Sequence, residues 1–77
     1  MVDVVDVLVC ALVDDPDAVQ VTETERRGRT VHIEVVVAPE DIGKVIGRGG
    51  RIANAIRTVA NAAAARQDLR AIVDITT

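Results

Sequence analysis

Apolar residues recur along this chain with two different periods, and the switches between them mark six elements. In residues 2–13, Val4, Val7, Leu8, Ala11 and Leu12 fall at helical spacing, while Asp3, Asp6 and Asp14 lie elsewhere around the axis. Early aspartates favour a helix start, and Pro16 within Asp14-Asp15-Pro16-Asp17 cannot continue the ladder. Valine is a poor helix former, so this helix depends on tertiary packing. The period then becomes two. Residues 18–26 read as a strand with Val19 and Val21 on one face. Residues 30–37 read as a clearer one, with Val31, Ile33, Val35 and Val37 opposite His32, Glu34 and Val36. Arg26-Arg27-Gly28-Arg29 is the turn of an antiparallel hairpin.

The helical period returns at Pro39-Glu40-Asp41, which opens a short helix carrying Ile42, Val45 and Ile46. Gly47 ends it, and the chain re-enters helix near Gly50 or Arg51. There Ile52, Ile56, Val59, Ala60 and Ala63 form an apolar stripe, with Arg51, Asn54, Arg57, Asn61 and Arg66 largely elsewhere. The low-bulk run Ala60 to Ala65 suits close internal packing or a helix–helix contact between copies. Asp68 marks the exit, and residues 70–76 read as a last strand. Two helices between the second and third strands favour parallel pairing through a right-handed crossover. The expectation is one small α+β domain over residues 1–77, a three-stranded mixed sheet with three helices packed on one face.

Composition narrows the chemistry. With no Phe, Tyr or Trp, the core is built from Val, Ile, Leu and Ala, in a chain of 77 residues where self-association helps stability. The net charge of −3 argues against a uniformly basic nucleic-acid binder. Its distribution says more. Residues 1–25 carry seven acids and no Lys or Arg, whereas residues 26–77 carry nine Lys/Arg against five Asp/Glu. Cys10 is the lone cysteine, set among apolar residues as a buried thiol, so no intramolecular disulfide forms. His32 has no second imidazole, the aspartates match no calcium loop, and no nucleophile stands with a base. The acidic N-terminus is unlike a leader peptide, and no apolar run reaches spanning length. These features point to a soluble cytoplasmic protein that is not an enzyme and takes no metal, cofactor, membrane or small-molecule substrate.

The remaining signal is Ile42-Gly43-Lys44-Val45-Ile46-Gly47-Arg48-Gly49-Gly50-Arg51-Ile52. It lacks the Gly-Lys-Ser/Thr of a Walker loop. A dinucleotide fingerprint starting at Gly47 would need glycine where Ile52 stands, directly after a strand. Between two helices, the Gly47-Arg48-Gly49-Gly50 turn instead lets a sugar-phosphate backbone lie against main chain at the next helix's positive end. Arg48 supplies charge, with Lys44 and Arg51 as further candidates. A duplex would want a broader basic surface, so a single strand fits better. Arg57, Arg66 and the hairpin-tip Arg26, Arg27 and Arg29 are solvated surface or auxiliary phosphate contacts.

The run Val45-Ile46-Gly47-Arg48-Gly49-Gly50-Arg51-Ile52, flanked by residues 38–44 and 55–59, resembles the GxxG core of KH domains. Across the whole chain it is similar to the small stand-alone bacterial KH proteins of the KhpA type. The resemblance implies a type II KH fold, α-β-β-α-α-β, and a hydrophobic groove for about four nucleotides of single-stranded RNA. It implies that Gly47, Arg48, Gly49 and Gly50 clamp the backbone, and that Ile42, Val45, Ile46 and Ile52 line or support the groove. The far wall falls around Ile72 to Asp74. It further implies a homodimer, or pairing with a larger KhpB-like KH protein, in RNA chaperone or post-transcriptional roles linked to cell shape and cell wall organisation. Arg48 and Gly49 at the variable loop positions retain one charge, and three glycines cost more to order, so weaker binding is expected. The alternative is a protein–protein interaction module that keeps the KH shape.

Overall fold

A computed structural model describes residues 1–77. Helix α1 (Val2–Leu12) leads through a 3-10 turn (Pro16–Ala18) to strands β1 (Gln20–Arg27) and β2 (Thr30–Val36). A second 3-10 turn (Pro39–Asp41) opens helix α2 (Ile42–Ile46). A third (Arg48–Gly50) joins it to helix α3 (Arg51–Ala65), and strand β3 (Arg70–Thr76) closes the chain. The sheet order is β1-β2-β3, with β1 antiparallel and β3 parallel to β2. The expected order and mixed sheet are therefore observed, and the last strand falls on the expected residues.

Alternation on β2 buries Val31, Ile33 and Val35, followed by Val37, and on β3 it buries Ala71 and Val73. The helices cover that face alone. Val5 and Val9 of α1, Val45 of α2, and Ile56, Ala60 and Ala64 of α3 complete the cluster. Each buried Val or Ile contributes about 1.5–3 kcal/mol of transfer free energy. The alanines let α3 lie close on the sheet. Ala60 and Ala64 are internal packing, whereas Ala62 and Ala65 face outward.

Two apolar stripes differ from expectation. On α1 the buried positions are Val5 and Val9, while Val4 and Leu12 are partly exposed and Val7 is 69% exposed. On α3 the core side is Ala53, Ile56, Ala60 and Ala64, and Val59 is 38% exposed. Valine and alanine surround both helices, so hydropathy alone did not fix which side meets the sheet. The two displaced stripes face each other. Leu8, Ala11 and Leu12 of α1 and Ile52, Ala55 and Val59 of α3 line an apolar furrow of about 350 Å³. The first strand begins two residues later than expected because Pro16 nucleates a 3-10 turn rather than simply ending α1.

Asp41 is the one fully buried charged residue. Its carboxylate accepts the Asp14 and Asp15 backbone N–H groups at 3.2 and 3.1 Å and the Lys44 ammonium at 3.3 Å. Lys44 also pairs with Asp14. Burial by itself would raise the Asp41 pKa, but the two N–H donors and Lys44 outweigh it and hold the carboxyl below its ordinary value. The Asp14 carboxylate, opposed by desolvation and helped by Asp41, raises Lys44. Expected only as an acid at a helix start, Asp41 thus fastens the α1–β1 connection to the helix that precedes the glycine turn.

Candidate nucleic-acid interface

The glycine turn is dictated by backbone geometry. Gly47 has φ 74° and ψ 172°, a region open essentially to glycine alone. A Cβ there would meet Ile52 Cγ1 at 2.7 Å. Gly49 (φ 65°, ψ 17°) and Gly50 (φ 76°, ψ 14°) are left-handed, with open space around both. The third glycine, Gly49, therefore serves the turn as well. Gly47 N–H donates to Gly43 O at 3.0 Å and Gly50 N–H to Gly47 O at 3.2 Å. Between them, α2 has ended at Ile46, so the N–H groups of Arg48 and Gly49 stand at the start of the next helical segment. Backbone N–H groups in a turn with glycine at three of its four positions, beside the exposed Arg48 guanidinium, suit an anion.

Charge pairing sorts the cations by region. Arg26, Arg27, Arg29 and Lys44 each bind a carboxylate of this chain: Glu23, Glu25, Asp68, and the Asp14–Asp41 pair. The other five of the nine, Arg48, Arg51, Arg57, Arg66 and Arg70, have no carboxylate partner. All five lie from the glycine turn onward, and α3 itself contains no acid. The uncompensated positive charge of an acidic chain thus gathers on one segment.

From the turn, α3 runs antiparallel to β3, and two side chains join them. Asn61 Oδ1 accepts the Ala71 N–H at 3.0 Å, and Arg57 Nε donates to Val73 O at 3.3 Å. Asn61 Nδ2 also donates to Arg57 O, which fixes its amide. Arg70 N–H donates to Arg29 O and Thr76 O accepts from Val37 N–H, so Arg70, Ile72, Asp74 and Thr76 bond toward β2. By alternation, Ala71, Val73 and Ile75 aim their N–H and C=O groups at the open edge beside α3. Four helix residues advance about 6 Å and two strand residues about 6.6 Å. The rungs Asn61–Ala71 and Arg57–Val73 therefore extrapolate to the turn of α3 holding Ala53 and Asn54 beside Ile75, with the glycine turn just past the end of β3. These contacts outline a shallow groove along the α3–β3 seam, outside both of the molecule's larger hollows, with Asn61 at one end and the glycine turn toward the other.

The sequence candidates distribute around this groove. Gly47, Arg48, Gly49 and Gly50 form the turn at its end, whereas the exposed Arg51, next in sequence, lines the α1–α3 furrow. Ile46 is half-buried at the end of α2. Val45 is sealed in the core, Ile42 packs against that core, and Ile52 fills the space beneath Gly47, so these three support rather than line the groove. Lys44 has its charge taken up by Asp14 and Asp41. The Ile72 side chain, partly exposed, points away from the helices, so the groove's far wall is β3 backbone. Arg57 and Asn61, read from sequence as lying off the apolar stripe, are the residues that bridge the groove. Their spacing with Asn54 along an acid-free helix was the available signal.

The chain as a whole is similar to known proteins. The family profile described as KhpA/KhpB, KH domain matches residues 2–75. The RNA-binding protein KhpA of Caldanaerobacter subterraneus subsp. tengcongensis is 52% identical over 75 residues, covering 97% of this chain and 99% of that protein. The RNA-binding protein KhpA of Clostridium acetobutylicum is 54% identical over 65 residues, covering 84% and 85%. That of Mycobacterium tuberculosis is 60% identical over 60 residues, covering 77% and 72%. No solved structure matches the chain significantly. Element order, glycine turn and near full-length similarity together place this chain in the KhpA/KhpB family of KH-domain proteins.

Proposed function

We propose that this protein binds short single-stranded RNA, about four nucleotides, in the α3–β3 groove. The Gly47-Arg48-Gly49-Gly50 turn clamps the phosphate backbone. The observation that carries this reading is the conjunction at the turn: backbone N–H groups held by three positive-φ glycines beside Arg48, which has no carboxylate partner, next to the outer edge of β3. The names of the relatives support RNA as the ligand. With no aromatic residue for stacking, one groove binds weakly. Two linked grooves raise the effective concentration of the second contact. The apolar α1–α3 furrow supports a homodimer, or pairing with a larger KhpB-like KH protein, as the way the grooves are linked. Such an assembly acts on RNA as a chaperone or post-transcriptional regulator in the cytoplasm.

The test is affinity for a short uridine-rich RNA at defined salt, comparing the wild type with the double variant R48D/G49D. Aspartate tolerates the left-handed backbone at position 49 better than most residues, so the fold survives. Affinity is expected to fall at least thirtyfold. An unchanged affinity removes the turn from the RNA site. If neither protein binds RNA while a KH-protein partner is retained, the chain is a protein-interaction module.

A further inference from the structure

We infer that Arg57 reads a base in this groove, selecting one that presents two adjacent hydrogen-bond acceptors. The inference rests on the RNA-binding reading above and adds a specificity-determining residue to it.

Arg57 is exposed, yet its guanidinium is aimed. Nε donates to Val73 O at 3.3 Å, and one NH1 hydrogen faces Asn54 Oδ1 at 3.4 Å. Both acceptors are neutral, so the positive charge remains uncompensated. A guanidinium carries five N–H donors in a rigid plane, and three remain after these contacts. Val73 O takes the Nε edge and Asn54 Oδ1 one NH1 hydrogen, which leaves NH2 and the other NH1 hydrogen for a ligand. Beyond the guanidinium, the Val73 and Ile75 N–H groups point the same way along the free edge of β3. The wall next to Arg57 is thus rich in donors.

A phosphate needs no such fixed plane, and the turn already provides a phosphate site. By helix rise, Arg57 lies about 9 Å along the axis from Arg51, the first residue after the glycine turn. It therefore stands where bases, not the clamped phosphates, would project. A donor-only fork pairs in bidentate fashion with guanine through O6 and N7, or with cytosine through O2 and N3. It disfavours adenine, whose amino group places a donor against a donor. Asn61 cannot supply the reading, because both ends of its amide are occupied by Ala71 and Arg57 backbone.

The experiment measures binding of uridine-rich pentanucleotides with G, C or A at the centre, across a salt series, for wild type, R57A, R57K and R48A. The wild type is expected to favour central G or C over A by about tenfold, the worth of one bidentate pair. Both R57A and R57K reduce that ratio to less than threefold, R57K with the smaller loss of overall affinity, because lysine keeps the charge and loses the fork. R48A weakens all three RNAs equally and lowers the salt slope by about 0.7. Wild-type binding with no preference, or a preference that survives in R57K, overturns the inference while leaving the RNA site standing. A uniform loss with a shallower slope in R57A also overturns it, by making Arg57 a phosphate contact. No binding by wild type to any RNA overturns the functional reading itself. A circular-dichroism melt of each variant separates these outcomes from unfolding.

Discussion

The two flanks of α3 offer opposite chemistry. Toward α1 the helix presents Ile52, Ala55 and Val59, which with Leu8, Ala11 and Leu12 make an apolar furrow with Arg51 as its one charged lining residue. Toward β3 it presents Asn54, Arg57 and Asn61, two of which are hydrogen-bonded to the strand edge. One flank excludes water and suits an apolar protein surface; the other offers fixed donors and uncompensated charge and suits a polyanion. Both begin at the same glycine turn, since Ile52 lies in the furrow and also beneath Gly47. A helix 15 residues long can thus serve an assembly and a ligand on different sides without either obstructing the other.

The most disruptive way to break this separation is at the shared point. Replacing Gly47 by valine forces a side chain into a glycine-only backbone region and into Ile52. Loss of RNA binding by more than a hundredfold is expected, together with a lowered melting temperature, measured by fluorescence anisotropy and thermal melting. Next comes Asp41, which holds the α1 side to the start of α2. Asp41→Ala leaves two N–H groups without their acceptor, and the melting temperature is expected to fall by about 10 °C.

The same residue sets the pH response. Its folded pKa lies below the ordinary value, so its contribution is complete above about pH 4 and is lost as pH falls through the lower folded value. In Asp41→Asn this contribution is absent, and denaturant unfolding from pH 6 to pH 2 is expected to lose part of the wild-type decline. Lys44, whose folded pKa is raised, contributes fully below its ordinary value and loses that contribution only as pH rises through the higher folded value. It therefore leaves the acid limb unaffected.

A cleaner cut touches one flank alone. If the furrow joins two copies as proposed, Val59→Asp shifts sedimentation to the monomer and lowers apparent affinity for an RNA long enough to span two grooves by tenfold or more. Affinity for a pentanucleotide should change less than twofold. The smallest effect belongs to the cations that already have partners. Arg26→Ala with Arg27→Ala should alter RNA affinity less than twofold, because Glu23 and Glu25 already neutralise both.

Most of the architecture was legible because hydrophobic period and punctuation agreed. The alternation of Val31, Ile33, Val35 and Val37, the Gly28 turn and the Gly47 break mark elements that the structure contains. The glycine turn was legible as well, since three glycines beside an arginine at a helix–helix junction have few other uses. The orientation of α1 was not. A helix written Val-Asp-Val-Val-Asp-Val-Leu-Val has apolar residues on nearly every side, and the buried pair Val5 and Val9 was chosen by fit against the sheet. The groove's far wall was also hidden, because it consists of backbone groups whose direction depends on strand register. Asp41 and Lys44 looked like ordinary helix-end charges until the chain folded Asp14 and Asp15 over them.

The most direct test of the central claim is an amide chemical-shift map on adding a short uridine-rich RNA to isotope-labelled protein. The amides of Arg48, Gly49, Val73 and Ile75 are predicted to move together, while those of Leu8, Leu12 and Val59 stay fixed. Shifts confined to the α1–α3 furrow, with the glycine turn unmoved, would contradict it.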